Sequence, residues 1–469
     1  MKLKLNDILN TIGIILFLSC CYIAINGTTI FHHDSELNLL PHWEFFLLFG
    51  GAIVGGIFLI VFNLLRKNYK PSYLMIAIFS FLYVSGMFVI LSYQNGSIFF
   101  FNKSVLVDKK HHEFIGELVS FTYSIDPLMR LRYVLQAFLL FFGTFMIVEV
   151  MPKIFEGKTF VAVGCLLALG FATYCCVYSY IVEHELYPLL LKDLREGELF
   201  LHAVSSLYPN KNYYGFMLFL ACVASLYLHQ YKAHWWWILV SAFFYLNLIC
   251  TWDKSAIIVM TFIMFVYFTY RFIITYKEHS KRNFIAVLVT AGVLFLLGLA
   301  FKLIYGLNPE FRNAIIESFA TRGTNTMEGR RMIWELNKKI FDENSALFGT
   351  GFKIFADMIY LYNTTDSPTN TVYAAHNGYQ EVIGEGGIIL LIVYLLLTAY
   401  IIYLGVKHFK THKSLALFSM MVITAMFGYM IVESGTYLFP QTLDYAFLSM
   451  IVCVPILSVH KQEKELATC

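Results

Sequence analysis

The chain has 469 residues, of which 58% are hydrophobic and 14% charged, and its mean hydropathy is +0.65. That apolar content exceeds what a water-soluble globular protein carries, so the chain reads as an integral membrane protein. Lys and Arg number 34 against 31 Asp and Glu, a net charge of +3, which leaves no strongly basic surface and excludes nucleic acid as a partner.

In chain order, about twelve apolar runs are long enough to cross a bilayer as helices. They fall near 8–26, 44–65, 73–93, 133–151, 159–182, 213–230, 234–251, 255–276, 283–304, 387–406, 414–432 and 441–459. The runs are continuous and rich in Leu, Ile and Phe rather than alternating with period two, which excludes a transmembrane β-barrel. The expected fold is all-α: a single polytopic membrane domain over residues 1–469, a bundle of about twelve transmembrane helices with the lipid bilayer as its solvent. The first run lacks a small-residue cleavage site and reads as a retained helix. Eight of the nine cysteines (Cys20, Cys21, Cys165, Cys175, Cys176, Cys222, Cys250 and Cys453) fall in apolar runs, with only Cys469 outside, so they read as small buried hydrophobes and not as a disulfide framework.

Lys and Arg gather at alternate connections, the pattern of loops retained in the cytoplasm. Arg66, Lys67 and Lys70 follow the second run, Lys153 and Lys158 the fourth, Lys232 the sixth, Arg271, Lys277, Lys281 and Arg282 the eighth, Lys407, Lys410 and Lys413 the tenth, and Lys461 and Lys464 the last. The short connections near 27–43 and 433–440 carry neither residue. Both termini are therefore expected in the cytoplasm and three longer segments outside: 94–132, 183–212 and, largest, 305–386, between the ninth and tenth runs. Within the first two, Ile98 to Phe101, Phe114 to Tyr123 and Leu186 to Leu191 are apolar enough to lie in the membrane interface or pack on the bundle.

The residues able to carry chemistry collect in these outer segments. Just before the tenth run, residues 375–387 read Ala-His-Asn-Gly-Tyr-Gln-Glu-Val-Ile-Gly-Glu-Gly-Gly. If this stretch is helical, Asn377, Glu381 and Glu385 share a face, with His376 and Gln380 alongside. A histidine near carboxylates can take a proton from an attacking hydroxyl; the same spacing also fits a polar interfacial helix start. Upstream, residues 322–335 look like a loop entering an amphipathic helix. There Arg331, Glu335 and Lys339 form one i, i+4 row, while Arg330 shares its row with Trp334 and Lys338 and has no acidic partner in its helix. Its fork of donors is left for an external anion such as phosphate, as is that of Arg322. Asp253-Lys254, between the seventh and eighth runs, is either an interfacial stop or an anion-binding site. Asn210-Lys211-Asn212 could bind sugar hydroxyls or phosphate, or be a solvated turn. Gly349-Thr350-Gly351 is too short for a phosphate loop and marks a turn.

Asn210, Lys254, Gly329-Arg330 with Trp334, Gly349 with Gly351, and His376-Asn377 followed by Gly387, in that order and on this topology, resemble the O-antigen ligase and O-antigen polymerase superfamily over roughly residues 205–405. The chain departs from that pattern at Asp253-Lys254, where the family usually has Ser-Arg, and at Leu390, where it often has Gly. The resemblance implies a glycosyltransferase on the outer face of the bacterial cytoplasmic membrane, moving a glycan from undecaprenyl diphosphate to an acceptor hydroxyl. On that basis His376 is the expected base with Glu381 in reserve or orienting it. Arg330, Arg322, Arg331 and Lys254 are expected to hold the diphosphate, and Asn210, Lys211, Asn377 and Trp334 the glycan. No metal or other cofactor is implied; a flippase and a chain-length regulator are the protein partners such an enzyme would have. A polymerase adds to another lipid-linked repeat unit and a ligase to a lipid-anchored core sugar. The polymerase is favoured because it operates in bacteria with or without an outer membrane. The alternative from another class is a polysaccharide transporter or flippase, which would place ionisable residues near the bilayer midplane; here Lys and Arg are almost absent from the centres of the runs.

Overall fold

A computed structural model describes residues 5–26, 40–67, 69–108, 113–154, 157–181, 204, 206–208, 211–232, 234–251, 253–277, 309, 330, 333–342, 345–366 and 374–468. The helices include, in chain order, α1 (Leu5–Asn26), α2 (His42–Leu65), α3 (Tyr73–Ser92), α4 (Pro127–Phe145), the single turn α5 (Met151–Ile154) and α6 (Gly157–Ile181), then α7 (Lys211–Lys232), α8 (Trp236–Thr251), α9 (Lys254–Lys277), α10 (Ile354–Asp366), α11 (Gly378–Lys407), α12 (Lys413–Val432) and α13 (Leu443–Thr468). Caps set several starts: Asp126 accepts from Leu128 N at 2.9 Å with Pro127 opening α4, and Asn377 accepts from Gln380 N at 3.0 Å to open α11.

Nine helices among the described residues are long and apolar enough to cross a membrane, so the chain is a multi-pass helical membrane protein. Helices stand where eleven of the twelve runs were expected. Of these, α8 has 16 residues, short of a full crossing, and α7 is polar at both ends, with Lys211, Asn212, His229, Gln230 and Lys232. The run near 283–304 lies outside the described residues.

One segment departs from the all-α expectation. Two antiparallel strands, β1 (Ser97–Asp108) and β2 (Glu113–Tyr123), pair in register from Ser97↔Tyr123 to Leu106↔Phe114, with a shift before Asp108↔Glu113. Ile98 to Phe101 and Phe114 to Tyr123, read as interfacial, are thus strands, because aromatic and β-branched residues on both sides of a polar connection favour pairing with each other; Leu186 to Leu191 lies outside the described residues. Asn95 clamps the root, donating to Ile125 O and accepting from Ile125 N, both at 3.0 Å.

The chain forms two compact units. The first comprises Met1–Ala168, Tyr227–His234 and Gly329–Cys469. In it α1 packs on α2 and α4, α3 on α4, and α12 on α11 and α13. Buried polar groups tie these helices where water cannot: Asn63 Nδ2 donates to Asn10 Oδ1 at 2.9 Å, and Arg132 donates to Leu40 O at 2.7 Å while lying over the Phe45 ring. The second unit comprises Leu169–Leu226 and Trp235–Glu328. Its described helices are joined by Tyr180 donating to Asn247 Oδ1 and by a 3.3 Å contact between Tyr214 Oη and Cys176 Sγ.

Candidate functional site

In the first unit, Arg330 is helical and so are residues 333–342, and the 333–342 helix meets the start of α11. Asn337 Nδ2 donates to Gln380 Oε1 at 2.7 Å, and Asn377, while capping α11, donates from Nδ2 to Ile431 O at 3.1 Å. The backbone of His376, just before the cap, is left-handed with φ 49, so α11 begins after His376 and Asn377 and does not include them in its face. Glu381 Oε1 accepts from Ala375 N at 3.2 Å and holds the approach to that turn.

Two residues singled out from the sequence converge on a third that was not. Arg330 Nη2 donates to Glu433 Oε1 at 2.8 Å, and His376 Nδ1 stands 3.8 Å from Glu433 Oε2. The expectation that Arg330 lacks an acidic partner is corrected here: the row rule sees only neighbours within one helix, whereas Glu433 is 103 residues away. Glu433 is 7% exposed and sits immediately after α12 in an extended conformation. Its only sequence signal is that it is the one acidic residue in the 433–440 connection. His376 Nδ1 and Trp334 Nε1 are buried and have no hydrogen-bond partner among the described residues, and neither does Oδ1 of the buried Asn337. Buried polar atoms without partners carry a desolvation cost that a polyhydroxylated ligand would relieve.

The glycines of the sequence motif hold this site from behind. Gly387 interrupts α11 with φ 68, and the 345–351 turn docks into the kink. Ile388 N donates to Ala346 O at 3.0 Å, Ile389 N to Leu347 O at 3.2 Å, and Thr350 N to Gly384 O at 2.8 Å. Gly349-Thr350-Gly351 is therefore a turn, as expected, and the reason for its glycines is backbone contact. A Cβ on Gly349, whose φ is 70, would lie 2.6 Å from Gly384 O.

Beyond the turn, Asp357 on α10 accepts from Tyr133 Oη at 2.7 Å and from Tyr123 Oη, the end of β2, at 3.2 Å. Burial pushes its carboxyl up to about 6, although both hydroxyls and the nearby Lys353 pull it down. Burial likewise lowers the Lys353 ammonium below its usual range, opposed by the attraction of Glu385, Glu381 and Asp357. Since the native carboxyl takes up its proton near 6 and a free one near 3.8, the native state binds the extra proton between these values. The Asp357 contribution to stability is accordingly full at the acid end and declines as pH rises through 6. Thermal unfolding in nanodiscs is expected to show this slope in the wild type, worth on the order of 3 kcal/mol, and a flatter profile in Asp357→Asn.

Of the other residues expected at the site, Lys254 begins α9 and Lys211 begins α7, both in the second unit. Beside Lys254, Asp253 is buried and caps α9 by accepting from Ala256 N at 3.1 Å, so its carboxylate serves the helix start. Asn210, Arg322 and Arg331 lie outside the described residues. Among the described residues no cluster of three or more His, Cys, Asp or Glu could hold a metal ion.

Residues 219–395 match a family model described as O-Antigen ligase. The matched stretch takes in Lys254, Arg330, Trp334, His376, Asn377, Glu381 and Gly387 and stops short of Glu433. No curated protein matches the chain. Over residues 219–395, then, this multi-pass membrane protein is similar to the O-antigen ligase family, which supports its resemblance to the O-antigen ligase and O-antigen polymerase superfamily.

Proposed function

We propose that the protein is a membrane glycosyltransferase acting on the outer face of the bacterial cytoplasmic membrane. It moves a glycan from undecaprenyl diphosphate to an acceptor sugar hydroxyl and so polymerises surface-polysaccharide repeat units. The observation that carries this reading is the meeting of Arg330 and His376 at Glu433, a cation and a base brought to one point from separate segments. In the transfer, the acceptor oxygen bonds to the anomeric carbon as the bond from that carbon to the diphosphate oxygen breaks. The hydroxyl proton passes to His376, and the diphosphate leaves with its charge met by Arg330. Diphosphate is a good leaving group, so the step needs no general acid, and guanidinium donors can do the charge-stabilising work. Trp334, Asn337 and Asn377 line the same region and suit sugar hydroxyls.

The test uses purified protein in nanodiscs with an undecaprenyl-diphosphate-linked oligosaccharide as sole substrate and chelator present, resolving products by size. A ladder of lengthening products supports the polymerase. Absence of a ladder together with single transfer to an added lipid-anchored core sugar would replace it with the ligase, and no transfer to either acceptor would overturn the enzymatic reading.

A further inference from the structure

Glu433 faces two residues that the proposed transfer uses and lies within hydrogen-bond distance of only one of them. Its Oε1 accepts from Arg330 at 2.8 Å, a full hydrogen bond, whereas its Oε2 is 3.8 Å from His376 Nδ1, beyond hydrogen-bond reach. That Nδ1 is buried without a hydrogen-bond partner. The backbone carrying the imidazole is held in the left-handed region between the Ala375 N–H bound by Glu381 and the Asn377 cap. The carboxylate can move, as it lies on a side chain with rotatable bonds just beyond the end of α12.

We infer that Glu433 is a positioning residue that couples arrival of the donor diphosphate to preparation of the base. A diphosphate carries more negative charge than a carboxylate and offers more acceptor oxygens to the Arg330 fork, so it displaces Glu433 from Arg330. The released carboxylate then closes the remaining distance and accepts from His376 Nδ1–H. With its proton fixed on Nδ1, the imidazole presents the Nε2 lone pair to the acceptor hydroxyl and is stabilised as it gains the proton. No covalent step is added: the carboxylate changes partners, and the proton moves from acceptor to His376 as before. Donor binding therefore precedes activation of the acceptor, and part of the donor's binding energy goes into breaking the Arg330–Glu433 pair. The inference rests on the proposed transfer through one point, that Arg330 is the cation for the diphosphate.

The coupling predicts a split that a merely structural Glu433 would not produce. In nanodiscs, Glu433→Gln is expected to bind undecaprenyl diphosphate about tenfold more tightly, since the competing charge is gone, while its kcat falls roughly a hundredfold. Glu433→Asp, which keeps the charge but is one methylene shorter, should show the same opposite movements at smaller size and serves if the Gln variant does not fold. In an Arg330→Gln background the gain in affinity from Glu433→Gln should vanish, because the two residues act on one interaction. Affinity and kcat falling together, unchanged affinity, or a gain that persists without Arg330 would each overturn the coupling. Glycan transfer by the wild type with none of these effects in the variants would sink the coupling alone, whereas a wild type that binds no undecaprenyl diphosphate would sink the proposed transfer with it.

Discussion

Replacing His376 or Arg330 with alanine is expected to reduce glycan transfer by two to four orders of magnitude, with roughly a hundredfold already from loss of the base. The two losses have different characters. His376 has no partner within hydrogen-bond reach on Nδ1 and keeps 29% of its side chain exposed, so His376→Ala should fold normally and bind undecaprenyl diphosphate as the wild type does while failing to turn over. Arg330 is 19% exposed and neutralises the nearly buried Glu433. Its removal therefore leaves a carboxylate without that cation, at a cost of about 3 kcal/mol, and weakens donor binding as well. Arg330→Lys restores the charge but not the fork, and should recover stability more than it recovers activity. Product ladders from both variants, set beside their thermal unfolding and donor binding, separate these outcomes. Turnover by His376→Ala within a few fold of wild type would remove His376 from the chemistry.

Gly387→Ala is expected to have the largest effect on the fold. A Cβ there would lie 2.2 Å from Leu347 O, 2.3 Å from Leu347 C and 2.4 Å from Phe348 N, all main-chain atoms, at a φ of 68. A side chain in the way could rotate, but a backbone carbonyl held by Ile389 N cannot move without undoing the docked turn. The left-handed conformation and the lost hydrogen bonds to Ala346 and Leu347 together should cost more than about 3 kcal/mol. The damage also reaches the site, because the short arm of α11 before the kink carries Glu381 and is capped by Asn377. A matched control is Gly428→Ala in α12, where an added Cβ meets nothing within 4 Å. Thermal unfolding in detergent should show the Gly387 variant melting many degrees lower, or failing to accumulate as a folded species, with the Gly428 variant close to wild type.

The spans were legible in the sequence because a bilayer imposes a simple local demand, about twenty consecutive apolar residues with all backbone bonds satisfied inside the segment. Nothing about a distant residue is needed to meet it. The hairpin at 97–123 was harder to see: its strands lack a clean two-residue alternation, and Lys109-Lys110-His111-His112 between them lacks the Gly or Asn that marks a tight turn. Its apolar runs were visible, but their pairing was not.

The site divides in the same way. Arg330, Trp334, His376, Asn377 and Gly387 could be picked out because their types and order carry a pattern along the chain. Glu433 could not, since an isolated glutamate at a helix end looks like any solvated residue until a packed bundle buries it and turns it toward Arg330. The same holds for the purpose of Gly349, read from the sequence as part of a turn, and of Gly387, read only as part of the motif, which the fold uses to bring two backbones together. By itself the sequence determined that the chain is a helical membrane protein and which residue types are available for chemistry, because apolar length and side-chain identity are local properties. Tertiary structure alone decided which cation faces which carboxylate and where His376 sits relative to them, because those relations depend on packing between segments that chain order does not encode.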